Sequence, residues 1–385
     1  MGLDLMVERN TSDQEEREEE EEEKAAKNRY TKGVKHLLET GISSVPKTYI
    51  LPPQDRPRVA DKDLEHGSNF RLPVIDMARL RSSSAADRIQ ALEAVDKACK
   101  EYGFFQVVNH GMNEEGMRKM MAAGRRFFEQ GFEERKKWMT SDIRGKVRYG
   151  TSFNEINDTV LCWRDFLKLN CQPLQEMLPL CPSSPKDLRD EVVSYVEEIQ
   201  VLFLEIMAVV LEALGVRKEE SLMEEFEEGS HMLIVNYFPP CPNPDLTLGM
   251  PPHSDYGFLT LLLQDDIAGL QVYHRDRWFT IDPLFNSIVV NIGDHLEIFS
   301  NGRYKSVLHR VLVNSTKPRM SIASLHSLPF SSTVRPAAAL IDDAGRGRLY
   351  KDTDFAAFLN YISSHDANRK SFLETRKLTP NGQRG

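Results

Sequence analysis

Two histidines and one aspartate have the residue types and spacing of a metal site. His253 and Asp255 are two positions apart, and His309 follows later in the chain. Alternate residues of a strand point to the same side, so His253 and Asp255 are expected to converge on one ion. His309, in the middle of a later predicted strand, would supply a third ligand from across a barrel. Such a triad leaves positions open for oxygen or a substrate and suits ferrous iron. It also suits zinc, so the ligands alone leave the metal open.

A basic residue and a hydroxyl residue follow the second histidine. Arg319 and Ser321 lie ten and twelve residues beyond His309 and share one face of the next predicted strand. A guanidinium is the natural receptor for the distant carboxylate of a dicarboxylic ligand, and a neighbouring hydroxyl adds a donor. A hydrolytic zinc enzyme has no need of this pair. The combination therefore favours an iron site with an acidic cosubstrate.

The same residues belong to a longer set of motifs. In their order along the chain they resemble the plant 2-oxoglutarate-dependent dioxygenases, which include flavanone 3-hydroxylases, anthocyanidin synthase and salicylate hydroxylases. The resemblance covers about residues 40–375 and is highly specific. Its motifs are Leu-Pro-Val-Ile-Asp at 72–76, Tyr-Gly-Phe-Phe-Gln-Val-Val-Asn-His-Gly at 102–111, Asn-Tyr-Phe-Pro-Pro-Cys-Pro at 236–242, His-x-Asp at 253–255, Ser-Val-Leu-His at 306–309 and Arg-x-Ser at 319–321.

The resemblance implies both a fold and a chemistry. The expected fold is mainly β with α: a double-stranded β-helix (jelly roll) core with N-terminal helical elements and a C-terminal helix. The expected cofactors are Fe(II), held by His253, Asp255 and His309, and 2-oxoglutarate as cosubstrate, with ascorbate as a stimulant. The keto acid would chelate the iron and be decarboxylated to succinate and CO2, which produces an oxidant that removes a substrate hydrogen. Catalysis is iron-based, and no separate acid or base is expected.

The proline-rich motif departs from many relatives at one position. They carry Asn-Tyr-Tyr, and the second tyrosine hydroxyl approaches the bound keto acid. Here that position is Phe238, which has no hydroxyl, whereas Asn236 is predicted on the same strand face. Arg319 and Ser321 are therefore expected to dominate cosubstrate binding, with Asn236 as an additional candidate.

The substrate itself is less well defined by the motifs. The segment that covers the pocket in relatives contains Tyr149, Phe153 and Phe166, and Leu325 matches a position that faces the substrate. These four are the candidate pocket residues. Two nearby cations, Arg164 and Lys168, could meet an acidic substrate, but solvated charge is the expected interpretation.

The preferred function is hydroxylation of a small plant metabolite, a flavonoid or other phenolic or a hormone-like acid. Desaturation or ring modification is the alternative, because the outcome depends on which C–H bond faces the oxidant. A non-catalytic jelly-roll binding module is a remote alternative, against which the triad and Arg319 argue.

Helical periodicity dominates the first half of the chain. A short amphipathic helix around Val34 is followed by a proline-rich arm. Further helices are predicted after a cap at Ser84, over 114–128, and over 186–214 with Gly215 as its C-cap. A final helix is predicted over 354–372.

Strands dominate the second half. Short β-rich stretches are separated by turn residues, which is typical of a sandwich or jelly roll and not of a βαβ sheet. The predicted strands cover 233–238, 258–263, 270–273, 278–281, 288–292, 304–313 and 320–328.

Composition excludes several classes of protein. Of the 385 residues 41% are hydrophobic and 28% charged, as in water-soluble globular proteins, and no stretch is apolar enough to span a membrane. Of the net charge of −9, eight glutamates and Arg17 within residues 15–23 contribute −7, leaving −2 elsewhere. That balance implies no general affinity for nucleic acid or membranes. Five scattered cysteines indicate buried thiols and not disulfides.

The expected organisation has three parts. Residues 1–28 form an acidic disordered tail, 29–215 the N-terminal arm and helical region, and 216–385 the iron and 2-oxoglutarate domain with its C-terminal helix. The expected partners are the small-molecule substrate, 2-oxoglutarate and O2. The protein is expected to be a monomer located in the cytoplasm, with the nucleus as the alternative.

Overall fold

The computed structural model describes most of the chain from residue 32 onward. The expected acidic tail, residues 1–28, and the candidate pocket residue Phe153 lie outside the described residues. The described ranges are 32–57, 70–140, 142–152, 158–216, 220–341, 347–364 and 372–378.

Strands supply the framework of the site. Numbered along the chain, they are β1 (Val74–Asp76), β2 (Phe104–Val108), β3 (Val147–Gly150), β4 (Asp165–Asn170), β5 (Ser230–Phe238), β6 (Met250–His253), β7 (Leu259–Gln264), β8 (Leu270–His274), β9 (Arg277–Thr280), β10 (Ile288–Ile292), β11 (His309–Val311) and β12 (Arg319–Ser327).

These strands form two sheets that enclose a cavity. Within the described residues, the larger sheet has the order β1-β2-β10-β7-β12-β5-β4-β3 and the smaller sheet the order β6-β11-β8-β9. All pairings are antiparallel except the one between β1 and β2. The cavity wall includes Leu262 and Ser321 of the larger sheet and Leu270 and Val311 of the smaller one. Two sheets around one interior are the arrangement that the strand pattern predicts.

Helices pack against the outer face of the larger sheet, and others lie near the start and the end of the described chain. In the described residues the α-helices are α1 (Val34–Glu39), α2 (Met77–Leu80), α3 (Ala85–Glu101), α4 (Glu114–Glu129), α5 (Phe132–Arg135), α6 (Leu174–Met177), α7 (Leu188–Leu214), α8 (Glu220–Glu227), α9 (Asp294–Phe299), α10 (Phe355–Ser364) and α11 (Phe372–Arg376). Short 3-10 turns cover Lys47–Tyr49, Pro53–Asp55, Lys136–Trp138, Leu178–Leu180 and Ala338–Leu340.

The long helix α7 shows why the helical predictions succeed. Its apolar residues recur every three or four positions, and those on one face, such as Val192, Ile199 and Phe203, are fully buried. Gly215 ends the helix with φ of 78°, a left-handed conformation that glycine adopts without steric cost. Helices α3 and α4 pack against α7. Together these three helices bury the outer face of the larger sheet.

The structure corrects several predicted elements. The strand predicted over 304–313 is regular only at His309–Val311, so His309 begins the strand and does not lie in its middle. The final helix predicted over 354–372 is seen as Phe355–Ser364 and Phe372–Arg376, with residues between them outside the described part. Strands β3 and β4 were not predicted, because each is short and mixes charged with apolar residues.

The N-terminal arm is part of the core and not an appendage. Tyr49 is fully buried, and its ring meets that of Trp163 edge-on at 5.4 Å. The carboxylate of Asp165 accepts hydrogen bonds from the backbone N–H groups of Val34, at 2.7 Å, and Lys35, at 3.1 Å. The arm therefore packs against the larger sheet at β4.

Two expectations from composition can be compared with the structure. All five cysteines are buried free thiols, as predicted. Among the described residues, no helix combines the length and apolar character that crossing a membrane requires.

Candidate functional site

The two histidines and the aspartate meet at one edge of the smaller sheet. His253 ends β6, His309 begins β11, and the two residues are register partners in the antiparallel pair. Asp255 follows β6 by two residues. Its Oδ1 lies 3.6 Å from Nε2 of both histidines, and one potential ligand atom from each residue falls within 4.8 Å of the others. The candidate ligands are therefore brought together in space.

Hydrogen bonds orient the ligand atoms. Nδ1–H of His253 donates to the carbonyl of Pro251 at 2.8 Å, and Nδ1–H of His309 donates to that of Val307 at 3.3 Å. Both bonds leave the Nε2 lone pair directed at the cluster, which is how metal-binding histidines are held. Asn291 Nδ2 donates to Asp255 Oδ2 at 2.9 Å, which leaves Oδ1 toward the histidines.

The electrostatics keep these groups in the protonation states that a metal needs. Burial, with the His309 charge, lowers the pKa of His253 to about 3, so this ring is neutral at physiological pH. Burial alone raises the pKa of Asp255, but His309, His253 and hydrogen bonds from Asn291 and Thr260 bring it below its usual range. A neutral imidazole and an anionic carboxylate that face one point fit a divalent transition metal.

A helix that the sequence analysis missed connects the two ligand-bearing segments. The carboxylate of Asp294, at the start of α9, accepts hydrogen bonds from Ser306 Oγ at 2.7 Å and Ser254 Oγ at 3.2 Å. Ser254 lies between His253 and Asp255. Glu297, one turn later, accepts from Ser306 N at 2.6 Å. The sequence signal was an Asp-x-x-Glu spacing, which places both carboxylates on one helix face.

Arg319 and Ser321 lie side by side on β12 and face the same cavity. Both are nearly fully buried, and Arg319 Nη1 is 3.4 Å from Ser321 Oγ. Arg319 also donates to Gln264 Oε1 at 2.9 Å and to the Ile267 carbonyl at 3.1 Å. Burial lowers the pKa of Arg319 to about 10, so it stays charged at neutral pH. Within the described residues no carboxylate forms an ion pair with it, which leaves a buried cation for an anionic ligand.

Phe238, which stands where many relatives have a tyrosine, presents an apolar ring to Arg319. The Arg319 guanidinium lies over the Phe238 ring at 5.3 Å. Asn236, the additional cosubstrate candidate, lines the cavity, and its Oδ1 accepts a hydrogen bond from Arg164 Nη1 at 3.0 Å. Asn236 is thus near the site but already engaged.

The cavity has a volume of about 190 Å³ and joins all these residues. Of the candidate pocket residues, Phe166 and Leu325 line it. The residues that line it are Phe104, Ile143, Arg148, Arg164, Phe166, Lys168, Met232, Ile234, Asn236, Phe238, Met250, His253, Ser254, Asp255, Tyr256, Thr260, Leu262, Leu270, Asn291, His309, Val311, Arg319, Ser321, Ala323, Leu325 and Phe358.

The prediction that Tyr149 lines the pocket is wrong. Its side chain is fully buried in the main core, with the ring edge-on to Phe127 at 5.9 Å, and its hydroxyl donates to Asp165 Oδ2 at 2.9 Å. Alternate residues of a strand face opposite sides, so Arg148 faces the cavity and Tyr149 faces the helices. Tyr149 is a structural residue and not a pocket residue.

The prediction that Arg164 and Lys168 are solvated is also wrong. Both are about 5% exposed and line the cavity, whereas the sequence analysis expected solvated charge. The signal was present, because Arg164, Phe166 and Lys168 are two residues apart and share a strand face. It was missed because β4 was not predicted as a strand.

Comparison with known proteins agrees with this geometry. Residues 229–327 match the family described as 2OG-Fe(II) oxygenase superfamily, and residues 72–188 match the family described as non-haem dioxygenase in morphine synthesis N-terminal. The two matches cover the larger part of both sheets and of the helices that pack on them.

Individual relatives extend over nearly the whole chain. Protein DMR6-LIKE OXYGENASE 2 of Arabidopsis thaliana is 36% identical over 339 residues, 88% of this chain and 95% of the relative. Flavanone 3-dioxygenase 2 of Oryza sativa subsp. japonica is 38% identical over 342 residues, 88% and 96% of the two chains. A crystal structure of JOX2 in complex with 2OG, Fe and JA superposes with a TM-score of 0.77 at 34% identity and covers 90% of this chain and 98% of JOX2.

The predicted jelly-roll core with helices at both ends is confirmed by these structural relatives. Iron and 2-oxoglutarate, the expected cofactors, are present in a solved relative, and the triad that would hold the metal is assembled here. The chain therefore belongs to the 2OG-Fe(II) oxygenase superfamily and is a 2-oxoglutarate-dependent dioxygenase of the plant type, an oxidoreductase.

Proposed function

We propose that this protein hydroxylates a small plant metabolite, a flavonoid or other phenolic or a hormone-like acid. The observation that carries the proposal is the shared cavity. The His253, Asp255 and His309 cluster and the buried cation Arg319 open into one space with largely apolar walls. In the overall reaction one atom of O2 enters the product hydroxyl and the other enters succinate, as 2-oxoglutarate loses CO2.

The residues of the site have distinct roles in this proposal. His253, Asp255 and His309 hold Fe(II) and leave the remaining positions open. When bound, the iron supplies the redox chemistry that couples decarboxylation of 2-oxoglutarate to oxidation of a C–H bond. Arg319 and Ser321 take the distal carboxylate of 2-oxoglutarate, and Asn236 is an additional contact. Phe166 and Leu325 orient the substrate.

The apolar wall has a second role. Phe104, Leu262 and Phe358 face the cavity and are poor partners for water. Excluding water strengthens the electrostatic contacts that hold the anionic cosubstrate and protects a reactive oxidant. Specificity then comes from the few side chains that fix which C–H bond faces the metal.

Desaturation or ring modification is the second candidate outcome, because the same residues would serve it and only the substrate pose would differ. The relatives illustrate the range of substrates: one is named for a flavanone, and the JOX2 structure contains the ligand JA. A non-catalytic binding module is disfavoured by the complete triad and by the buried Arg319, which forms no ion pair with the described residues.

We also propose that residues 29–215 and 216–385 act as one unit, that the protein is a monomer, and that it acts in the cytoplasm, with the nucleus as the alternative. Support for a single unit comes from the larger sheet, in which β4 pairs with β5 along six residue pairs. Light scattering of the purified protein and fractionation of tissue would test the remaining points.

The experiment that tests the reaction is a coupled assay. The protein is incubated with Fe(II), 2-oxoglutarate, O2 and ascorbate, with and without a metabolite extract, and succinate and new products are measured by mass spectrometry. We expect succinate to rise on adding extract and a product 16 Da heavier than its substrate to appear, as one added oxygen atom requires. A product 2 Da lighter would indicate desaturation, and no succinate under any condition would refute the proposal.

A further inference from the structure

Strand β4 and the residue just before it carry two buried cations whose role is not explained by the metal site or by cosubstrate binding. Arg164 and Lys168 are four residues apart, share the strand face with Phe166, and line the cavity. Their exposed fractions are 5% each. A buried cation is expensive unless a partner compensates for its lost hydration. The partners of these two residues therefore indicate what they are for.

The contacts of Arg164 leave its charge uncompensated. Its Nη1 donates to Asn236 Oδ1 and to Met250 Sδ, both at 3.0 Å, and its guanidinium lies 4.8 Å from the Phe166 ring centroid. Its Nε is buried and, among the described residues, has no hydrogen-bond partner. Neutral acceptors and an aromatic face do not replace a carboxylate.

Neighbouring carboxylates do not neutralise Arg164 either. Asp158 and Asp165 act on its charge, but within the described part of the chain neither forms an ion pair with it. Asp165 faces the other side of the strand, where it accepts hydrogen bonds from Tyr149 and from the arm. The inward face of β4 is thus positive.

Lys168 adds to that positive face. Its Nζ donates to the carbonyl of Ile143 at 2.8 Å, and within the described residues it has no ion pair. Burial, and after it the charge of Arg148 on β3, lower the pKa of Lys168 to about 8, with Asp142 acting in the opposite direction. The amine is therefore still largely charged at neutral pH, in a place where charge is costly.

The two cations are separate from the cosubstrate cation. Arg319 is on β12 and Arg164 is next to β4, with β5 between these strands, so their backbones are about 10 Å apart. Arg319 has its own acceptors in Gln264 and Ile267. The cavity is thus lined by three cations besides Arg319, namely Arg148, Arg164 and Lys168, whereas 2-oxoglutarate needs only one beyond the metal.

We propose that the substrate is a carboxylic acid whose carboxylate is held by Arg164, with Lys168 adding to the positive potential of the cavity, and whose apolar body lies against Phe166, Leu325 and Phe358. This inference rests on the proposed function and narrows its substrate class. The guanidinium offers the planar fork that a carboxylate fits. The ammonium, on a residue about 13 Å away along the strand backbone, adds electrostatic attraction without direct contact. Phenolics without an acidic group are excluded as preferred substrates, because they would leave both cations buried and unpaired.

The test compares acids with their neutral esters. Benzoate, phenylacetate and cinnamate, each beside its methyl ester, are titrated calorimetrically into the Fe(II) and 2-oxoglutarate holoenzyme under nitrogen, so that no turnover occurs. We expect at least one acid to bind ten or more times tighter than its ester. In Arg164→Gln that ratio is expected to fall to near one, and in Arg164→Lys and Lys168→Met to intermediate values. The control is Lys146→Met, which removes an exposed lysine that pairs with Glu176, and there the ratio should be unchanged.

Several results would overturn the inference. One is that, for every pair, the ester binds the wild-type enzyme as tightly as the acid does. A second is that the ratio of acid affinity to ester affinity persists in both Arg164 variants. A third is that the KM for 2-oxoglutarate rises in the Arg164 variants while this ratio stays unchanged. Melting temperatures report folding, and they should not fall in Arg164→Gln and Lys168→Met, because these two substitutions remove a buried charge. Succinate release by the wild-type enzyme separates the acid-substrate inference from the proposed reaction. Succinate without a preference for acids refutes this inference alone, whereas no succinate refutes the proposed reaction.

Discussion

At the scale of single residues, Asp255 differs from the two histidines because it is the only anionic group of the cluster. Its Oδ1 faces both Nε2 atoms at 3.6 Å. Asp255→Ala removes that charge and should abolish succinate formation and metal binding, because two imidazoles without an anionic ligand hold Fe(II) poorly. Metal content after dialysis and succinate by mass spectrometry are the measurements. The exposed Asp282→Ala is the control, and full activity of pure Asp255→Ala would refute the ligand assignment.

Arg319 allows a prediction about cosubstrate affinity. Loss of one partner of a desolvated charged pair costs about 2–5 kcal/mol, so Arg319→Ala should raise the KM for 2-oxoglutarate by one to three orders of magnitude. Arg319→Lys should recover part of it, since the charge returns without the planar fork. Arg277→Ala, at an exposed position of β9, serves as the control. An unchanged KM in both Arg319 variants would show that the keto acid is held elsewhere.

Lys168 gives the site a pH dependence. Its pKa is lowered to about 8 from an ordinary 10.5, mainly by burial, and the charged groups acting on it are Arg148 and Asp142. Below that pKa the amine is charged and attracts an acid, and as the pH rises through about 8 the attraction is lost. The affinity for a carboxylic acid should therefore fall above pH 8, whereas that for its ester should stay level.

The matched variant for this pH dependence is Lys168→Arg, which stays charged throughout the range. Calorimetric titrations of the acid between pH 6.5 and 9.5 should show a flat affinity in this variant. If Lys168→Arg loses affinity at the same pH as the wild type, another group is responsible for the dependence.

At the scale of elements, helix α9 connects the two segments that carry the candidate ligands through hydrogen bonds. Asp294 accepts hydrogen bonds from Ser254 on one segment and Ser306 on the other, and Glu297 holds the backbone of Ser306. Apart from this connection, His309 is positioned by the pairing of a three-residue strand, by its hydrogen bond to the Val307 carbonyl and by its contact with the Phe104 ring. We expect the helix to set the distance between the histidines.

Asp294→Ala should therefore weaken metal binding although Asp294 is not a ligand. Outer contacts of this kind typically contribute about 10–100-fold in metal affinity, and a Co(II) titration followed by absorbance would measure the loss. Asp294→Asn, which keeps one acceptor oxygen, should recover part of it. Equal affinities in all three proteins would show that α9 has no positioning role.

At the scale of the whole molecule, the described core accounts for the site without the N-terminal acidic stretch. Apart from Phe104, the site residues lie on strands, loops and helix α10 from residue 143 onward, and the sheet end is covered by the arm that begins near Val34. Deletion of residues 2–27 should leave the melting temperature and turnover within experimental error, because eight glutamates in nine residues repel one another and offer no apolar side chain for packing. A large loss in either would show that the acidic stretch belongs to the working enzyme.

The sequence by itself determined the chemistry of the site and most of the fold class. His253, Asp255, His309, Arg319 and Ser321 were identified by residue type and spacing, which need no tertiary information once a strand is assumed. The long helix α7 and most strands of the second half were predicted because their periodicity is local.

Only the tertiary structure decided which faces point inward. Alternation along a strand shows that Arg164 and Lys168 share one face and that Tyr149 lies on the opposite face from Arg148, but it cannot show which face is buried against the cavity. That choice is made by β5, which pairs with β4 from more than sixty residues away, and by the helices and arm that cover the other face. The bridge from α9 to both ligand segments likewise joins residues 40 positions apart. The physical reason is the same in both cases: local periodicity sets relative orientation, whereas burial depends on contacts between residues distant in the chain.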